Sequence, residues 1–166
     1  AQCLVGSEMC IRDRVTKVPS YAFAKCTVLS KVTFSKNMQS IASSAFLHSN
    51  QVKTFSCPKS NKTFAVKKGM LMTKSGKTLV LVPNKMKKVT IPTSVKTIKA
   101  KTFNGSQATS IVIPKSVKKI EAKALSSKKV TKVSLSSKNK IYKMANNCIY
   151  RKSNGTLTAV LVKTKK

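Results

Sequence analysis

The chain is a strongly basic sequence of 166 residues, in which 34 Lys and Arg face three Asp and Glu and give a formal net charge of +31 at pH 7. Its hydrophobic fraction of 41% is too high for a disordered chain, and no apolar run approaches the roughly 18 residues that span a bilayer. Three acids and one His leave no carboxylate pair for acid–base catalysis and no ligand set for a metal ion. We therefore predict a non-enzymatic protein of one domain, with no catalytic residue, metal or cofactor.

The start of the chain is treated separately, because Cys3–Asp13 has the sequence CLVGSEMCIRD. This run resembles the in-frame translation of a transposon-based sequencing adapter, so we interpret residues 1–14 as an adapter-derived, non-native segment and leave them out of the fold prediction. The segment contains two of the three acids, Glu8 and Asp13, and beyond it 32 Lys and Arg face only Glu121. We expect the segment to pack poorly against the rest of the chain.

The remaining chain repeats a pattern with a period of about 22–23 residues. The shared template is L-x-x-V-x-I-P-x-x-V-x-x-I-x-x-x-A-F-x-x-C, and one copy runs from Met86 to Phe103. The V-x-I alternation has a period of two and predicts a short strand in each copy, ended by Pro92 or Pro114. The spacing from Ile98 to Phe103 predicts a single helical turn. The strand residues predicted to face the core are Val32, Phe34, Val89, Ile91, Ile111, Ile113, Val133 and Leu135.

One repeat of this length cannot bury its apolar face alone, whereas stacked copies can. We therefore predict a β-rich α+β solenoid, in which the strands of successive coils form a parallel sheet and short helical turns lie on the opposite side. The coils are predicted at about residues 15–61 and 84–138.

Two β-hairpins interrupt the period, at about residues 62–83 and 139–163. In each, apolar strands flank a dipeptide, Ser75-Gly76 or Asn154-Gly155, that can supply the positive φ of a tight turn. Since the chain ends where the next coil is due, we expect a solenoid that is truncated at both ends.

Two stretches carry a resemblance to a known family: KVTIP at Lys88–Pro92 and YAFAKC at Tyr21–Cys26. Both resemble the BspA-type leucine-rich repeat of bacterial surface proteins, and the likeness extends over nearly all of residues 15–166. It implies a right-handed leucine-rich-repeat solenoid without catalytic residues. It also implies an extracellular or cell-surface protein that binds host or microbial surface proteins or glycans, with its signal peptide and anchor outside this sequence. The family's Cys position is occupied in other coils by Ser49, Ser106 and Lys128.

The outward strand positions form a candidate ligand-binding face. Side chains that alternate with the buried strand residues point outward, and parallel strands about 4.8 Å apart would align them in ladders along the solenoid. A ladder of lysines and hydroxyls can neutralise a repeating anion and donate hydrogen bonds to sugar oxygens. The candidate ligand face consists of Lys31, Thr33, Lys88, Thr90, Ser110, Val112, Lys132 and Ser134.

Two functional hypotheses remain open at this point. In the first, the chain is a non-catalytic binding or adhesion module of a bacterial cell-surface protein, and its lysines are a solvated surface. In the second, it is a general polyanion-binding basic protein that takes an acidic glycan, a wall polymer or nucleic acid. Nucleic acid is disfavoured because the template places several aromatic residues in the core, where they cannot stack on bases. These residues are Phe23, Phe34, Phe46 and Phe103.

The remaining reactive residues suggest no further site. His48 is the only histidine and falls in a turn, so we predict a solvated turn residue. Cys26 occupies the template's Cys position, where small core packing is expected. Cys57 and Cys148 lack the spacing of metal ligands. The glycosylation sequons that begin at Asn61, Asn104 and Asn154 are interpreted as chance occurrences in a chain rich in Ser and Thr.

Overall fold

The computed structural model describes residues 7–127, 129–145 and 148–159. Within these residues the chain forms sixteen short β-strands and no helix, and hence no helix that could cross a membrane. The strands stack in successive coils of a solenoid, which confirms the predicted fold class. The predicted helical turns are wrong, because the side of the solenoid on which they were expected carries a second set of parallel strands.

The strands predicted from the V-x-I alternation form the front of the solenoid. They pair in parallel, and their register places equivalent template positions side by side, as with Val32 and Phe55 or Ile111 and Val89. These strands fall into two three-stranded sheets. The first front sheet contains β1 (Glu8–Cys10), β3 (Lys31–Thr33) and β5 (Thr54–Ser56), and the second contains β9 (Lys88–Thr90), β11 (Ser110–Ile113) and β13 (Lys132–Leu135).

The back of the solenoid is built from parallel strands of two to four residues. Ile98 was predicted to start a helical turn, but the Lys99 N–H donates to the Leu79 carbonyl and the Glu121 N–H donates to the Ile98 carbonyl, both at 3.0 Å. Because these backbone groups bond between coils, they are not available for the i→i−4 bonds of a helix. The back strands are β2 (Lys17–Val18), β4 (Ser40–Ile41), β8 (Thr78–Leu81), β10 (Thr97–Ile98) and β12 (Lys119–Ile120).

Each of three back strands is followed by a residue in the left-handed region of backbone conformation. Lys101 has φ of +57°, and Tyr21 and Lys123 at the same template position have φ of +62° and +55°. A left-handed residue interrupts a right-handed helix, and the chain continues in i→i−3 turns such as the bond from the Asn104 N–H to the Lys101 carbonyl (2.9 Å). The spacing that predicted a helical face therefore belongs to a turn that buries Phe103.

Each predicted hairpin is a three-stranded antiparallel meander. Gly76 and Gly155 have φ of +68° and +66°, which confirms the predicted tight turns. The last strand of the first meander is β8, which also pairs with the back strand β10. The first meander and the back strands β10 and β12 therefore form one five-stranded sheet. Residues 160–163 of the second predicted hairpin lie outside the described residues. The remaining strands are β6 (Phe64–Lys67) and β7 (Met70–Thr73) in the first meander, and β14 (Tyr142–Ala145), β15 (Cys148–Arg151) and β16 (Leu157–Ala159) in the second.

The buried side chains confirm the predicted strand register, except that Leu135 is only partly buried. They form two clusters, one in the coils before the first meander and one in the coils after it. The first meander lies between the two, since Leu71 packs in the earlier cluster while Met70 and Met72 pack in the later one. The later cluster contains all of Val89, Ile91, Ile98, Phe103, Ile111, Ile113 and Ile120.

Two buried asparagines attach the meanders to the coils that precede them. The Asn61 amide donates to the carbonyls of Ser35 (2.9 Å) and Met38 (3.1 Å), and its Oδ1 accepts the N–H groups of Thr63 (2.8 Å) and Phe64 (2.7 Å). Asn61 has no exposed surface, so its sequon is not accessible in the folded chain. The same four bonds recur at the second meander, where Asn139 bonds to Pro114, Val117, Ile141 and Tyr142.

The segment interpreted as adapter-derived packs better than expected. Glu8–Cys10 pairs in parallel with β3, the Ile11 N–H donates to the Thr33 carbonyl (2.8 Å), and the Ile11 side chain is buried. The expectation of poor packing is therefore wrong for residues 8–11. The physical reason is that Met9 and Ile11, which point inward, alternate with the exposed Glu8, Cys10 and Arg12 and so satisfy the strand pattern of the template. The origin of residues 1–14 stays a prediction, which sequencing the gene from adapter-free genomic DNA would check.

We expect Ile113→Asp to destabilise the fold by about 4 kcal/mol or more, because Ile113 is fully buried and an unpaired carboxylate there would be desolvated. The matched control is Val112→Asp, one residue earlier on the same strand, where the side chain is 40% exposed. That change is expected to alter the free energy of unfolding by less than about 1 kcal/mol. Urea denaturation of both variants measures the difference, and equal losses would show that the strand register is wrong.

We expect Asn61→Ala to cost about 3 kcal/mol, because it leaves two backbone N–H groups and two carbonyls without their buried partner. Asn50→Ala serves as the control, since Asn50 is exposed and its side chain makes no hydrogen bond to another described residue. Thermal unfolding of the two variants measures the effect. A loss at Asn61 no greater than the loss at Asn50 would contradict the proposed anchoring of the meander.

Candidate ligand-binding face

Six of the eight residues of the candidate ligand face lie together on the second front sheet. Ser110 on the central strand β11 lies opposite Lys88 and Lys132, and each of these side chains is at least partly exposed. Val112 on the same strand is 40% exposed. The structure thus forms two in-register rows, one of Lys88, Ser110 and Lys132, and one of Thr90, Val112 and Ser134.

The lysines of the first row are not direct neighbours. Ser110 separates Lys88 from Lys132, so their backbones lie about 10 Å apart at the usual spacing of parallel strands. The row therefore alternates cation, hydroxyl and cation. This arrangement can bind two anionic groups of an extended ligand and donate a hydrogen bond between them.

The other two predicted residues, Lys31 and Thr33, lie on the first front sheet. A turn of the first meander follows that sheet, because the Phe55 N–H of β5 donates to the Gly69 carbonyl (3.0 Å). The eight predicted residues therefore occupy two patches. Sequence periodicity gives the residue range of the meander. It could not predict that the meander separates the two front sheets in space.

The positive charge of the surface has few partners within the chain. Among the described residues, three ion pairs join a lysine to an acid, and two of the acids belong to the segment interpreted as adapter-derived. In the rest of the described chain, Lys119–Glu121 is the one such pair. The three pairs are Lys31 Nζ–Glu8 Oε2 (3.2 Å), Lys36 Nζ–Asp13 Oδ2 (3.6 Å) and Lys119 Nζ–Glu121 Oε1 (3.6 Å).

None of the reactive side chains is a residue of the candidate face. His48 is exposed in a turn with φ of +64°, as predicted, and Cys26 is buried, as predicted, and disulfide-bonded. Cys57 and Cys148 are free thiols. Burial raises the pKa of the Cys57 thiol, and the nearby Lys74 ammonium partly offsets that rise. Across the described part of the chain, no three His, Cys, Asp or Glu side chains come together in a group that could hold a metal.

The repeat itself decides the family. A sequence profile described as the BspA type Leucine rich repeat region matches six copies, over residues 1–68 and 82–161. This chain belongs to the BspA-type leucine-rich-repeat family. The unmatched residues 69–81 contain β7 and β8 of the first meander. A search of curated protein sequences finds no significant match.

Two solved structures share the fold of this BspA-type chain. The pneumococcal vaccine antigen PcpA is 17% identical, with a TM-score of 0.58 over 80% of this chain and 40% of that protein. A leucine rich cell surface protein from Faecalibacterium prausnitzii A2-165 is 19% identical, with a TM-score of 0.52 over 80% of this chain and 42% of that protein. The chain spans less than half the length of either structure, and at these identities the likeness concerns the fold alone.

The four phenylalanines that the template places in the core of this BspA-type chain are buried or partly buried there. Phe34, Phe46 and Phe103 are at most 4% exposed. Phe23 is partly buried and stacks on Phe46, with 5.3 Å between the ring centroids. The predicted core positions are confirmed, and the buried rings cannot stack on a ligand.

We expect the melting temperature to rise by several degrees as NaCl increases from 10 to 150 mM. At +31 the folded chain brings like charges closer together than the unfolded chain does, and salt shortens the Debye length from about 30 Å to about 8 Å over this range. A matched series with sucrose at equal osmolality, which screens no charge, controls for solute effects. A melting temperature that is flat or falls with salt would contradict the charge repulsion.

Proposed function

We propose that this chain is a non-catalytic binding or adhesion module of a bacterial cell-surface protein. The observation that carries the proposal is the pair of exposed, in-register rows on the second front sheet. Membership of the BspA-type family supports a repeat module. The two similar structures, a vaccine antigen and a leucine rich cell surface protein, support an extracellular or cell-surface location.

The fold suits binding because the rows are carried on strands whose backbones are held from both sides. β11 lies between β9 and β13, and its inward residues Ile111 and Ile113 are fully buried. Side chains on such a scaffold lose little backbone freedom when a ligand arrives, which lowers the entropic cost of binding. The ligands proposed for this surface are host or microbial surface proteins or glycans.

A second candidate function, general binding of polyanions, is favoured by the charge. Beyond residue 14, 32 Lys and Arg face only Glu121, so the surface attracts any anionic polymer whatever its structure. Such attraction is screened by salt and discriminates little among an acidic glycan, a wall polymer and nucleic acid. Nucleic acid is the least favoured of these, because Phe34, Phe46 and Phe103 are buried.

Paired charge changes on the two sides of the solenoid separate the two functions. Lys88→Gln/Lys132→Gln removes two charges from the front row, and the control Lys101→Gln/Lys123→Gln removes two charges from exposed turn positions. The probes are polygalacturonate, teichoic acid, duplex DNA and a neutral glucan, measured from 50 to 300 mM NaCl. If the front row binds ligand, the front double variant is expected to lose about fivefold more affinity than the control double variant does. The comparison is made with the probe that the unchanged chain binds most tightly.

The same measurements can contradict either of the two proposed functions. Equal losses from both pairs, with similar affinities and steep salt slopes for all three polyanions, would leave the general polyanion binder. Tight binding of the neutral glucan that does not change with salt would overturn the role of charge and leave an adhesin that recognises shape.

A further inference from the structure

The back of the solenoid contains a groove of about 500 Å³ where its two parallel sheets meet. Among the described residues β4 pairs only with β2, whereas β8 pairs with β7 and β10, so no backbone bonds join β4 to β8. We call this the seam groove, and Ser40, Ile41, Thr78, Val80, Thr97 and Lys99 are among its lining residues. None of them belongs to the candidate ligand face.

The walls of the seam groove carry polar side chains that have no hydrogen-bond partner among the described residues. Thr78 and Thr97 lie opposite each other in the register of β8 and β10, and both are half-buried. Neither hydroxyl, nor the side chains of Ser40 and Gln39 across the groove, hydrogen-bonds to another described residue. Half-buried hydroxyls without a protein partner are available to a ligand that offers hydroxyl groups of its own.

The floor of the seam groove is apolar. Val80 and Phe64 are 5% and 6% exposed, and Ile41 is partly buried beside them. A pyranose ring has apolar C–H faces and a rim of hydroxyls, so it matches an apolar floor between hydroxyl-bearing walls. The volume of about 500 Å³ falls in the usual range for a small-molecule site.

The charges at the rim favour an anionic ligand. Glu121 is engaged on both sides, since its Oε1 lies 3.6 Å from the Lys119 Nζ and its Oε2 accepts the Ala100 N–H at 2.9 Å. Lys99 is exposed and has no acidic partner among the described residues. The rim therefore offers one unpaired cation, which suits a ligand with one carboxylate.

We propose that the seam groove binds a single acidic sugar residue of the hexuronate type, with its carboxylate at Lys99 and its hydroxyls at Thr78 and Thr97. The inference rests on the proposed function, since it assigns a glycan to the binding module, but it uses a different surface. The two surfaces are distinguished by their variants, since Lys88→Gln/Lys132→Gln changes only the front row, whereas Thr97→Val and Lys99→Gln change only the groove.

The test is an NMR titration of the ¹⁵N-labelled full chain with glucuronate, and with glucose as the neutral partner of the same shape. We expect saturable shifts at Ser40, Thr78 and Thr97, with glucuronate binding about tenfold more tightly than glucose. Thr97→Val keeps the branched shape on β10 and removes the hydroxyl, so it should weaken glucuronate about fivefold. Thr93→Val makes the same change at an exposed turn residue outside both the groove and the candidate ligand face, and should leave the affinity unchanged.

Lys99→Gln should bring the affinity for glucuronate close to that for glucose, and it remains available if Thr97→Val unfolds the chain, because Lys99 is exposed. Shifts that scatter over exposed lysines without saturation would overturn the proposed binding in the seam groove. Equal affinities for glucuronate in Thr97→Val and Thr93→Val would overturn it as well. Those results would not bear on the proposal that the front rows bind ligand. Conversely, equal polymer binding by the front and control lysine variants would contradict that proposal and would not bear on the groove.

Discussion

The structure depends on one constraint: a strand of three or four residues has its hydrogen-bond partners only in the coils on either side. Ile111 shows this, because its strand β11 is bonded to β9 and β13 while its side chain packs on Val89 and Val133 of the same neighbours. Backbone bonding and apolar burial thus favour the same register, and a slip of one residue would expose the apolar row. The same constraint explains the back strands, where bonds between coils replace the bonds of a helix.

The first meander divides this stack without breaking it. β8 bonds to β10 as a coil would, while Leu71 and Met72 on β7 pack into the cores before and after it. The division separates the front surface into two patches and leaves the seam groove at the back. The asparagines at both meander starts supply the buried polar anchors that let an irregular connection leave a regular stack.

Two of the three acids lie in a segment that pairs with the solenoid although we interpret it as adapter-derived. Glu8 and Asp13 make two of the three ion pairs among the described residues, although they lie in the segment interpreted as adapter-derived. Glu8–Cys10 joins the first front sheet because alternation at the correct period is all that the edge of a solenoid requires. The edge of a repeat fold therefore accepts a strand whose residues alternate with the period of the template.

The sequence by itself determined the family, the front strands, their buried rows and the tight turns at Gly76 and Gly155, because each of these follows from a local period or a dipeptide. It also determined which residues alternate outward on the front strands. The tertiary structure decided what depends on contacts between distant coils. Ile98 lies in a strand because Leu79 and Glu121 offer bonds across the stack, and Asn61 is buried because a carbonyl 26 residues earlier accepts its amide. Periodicity likewise could not predict that Ser40, Thr78 and Thr97 line one groove. It orders residues within a coil but does not locate an insertion among the coils.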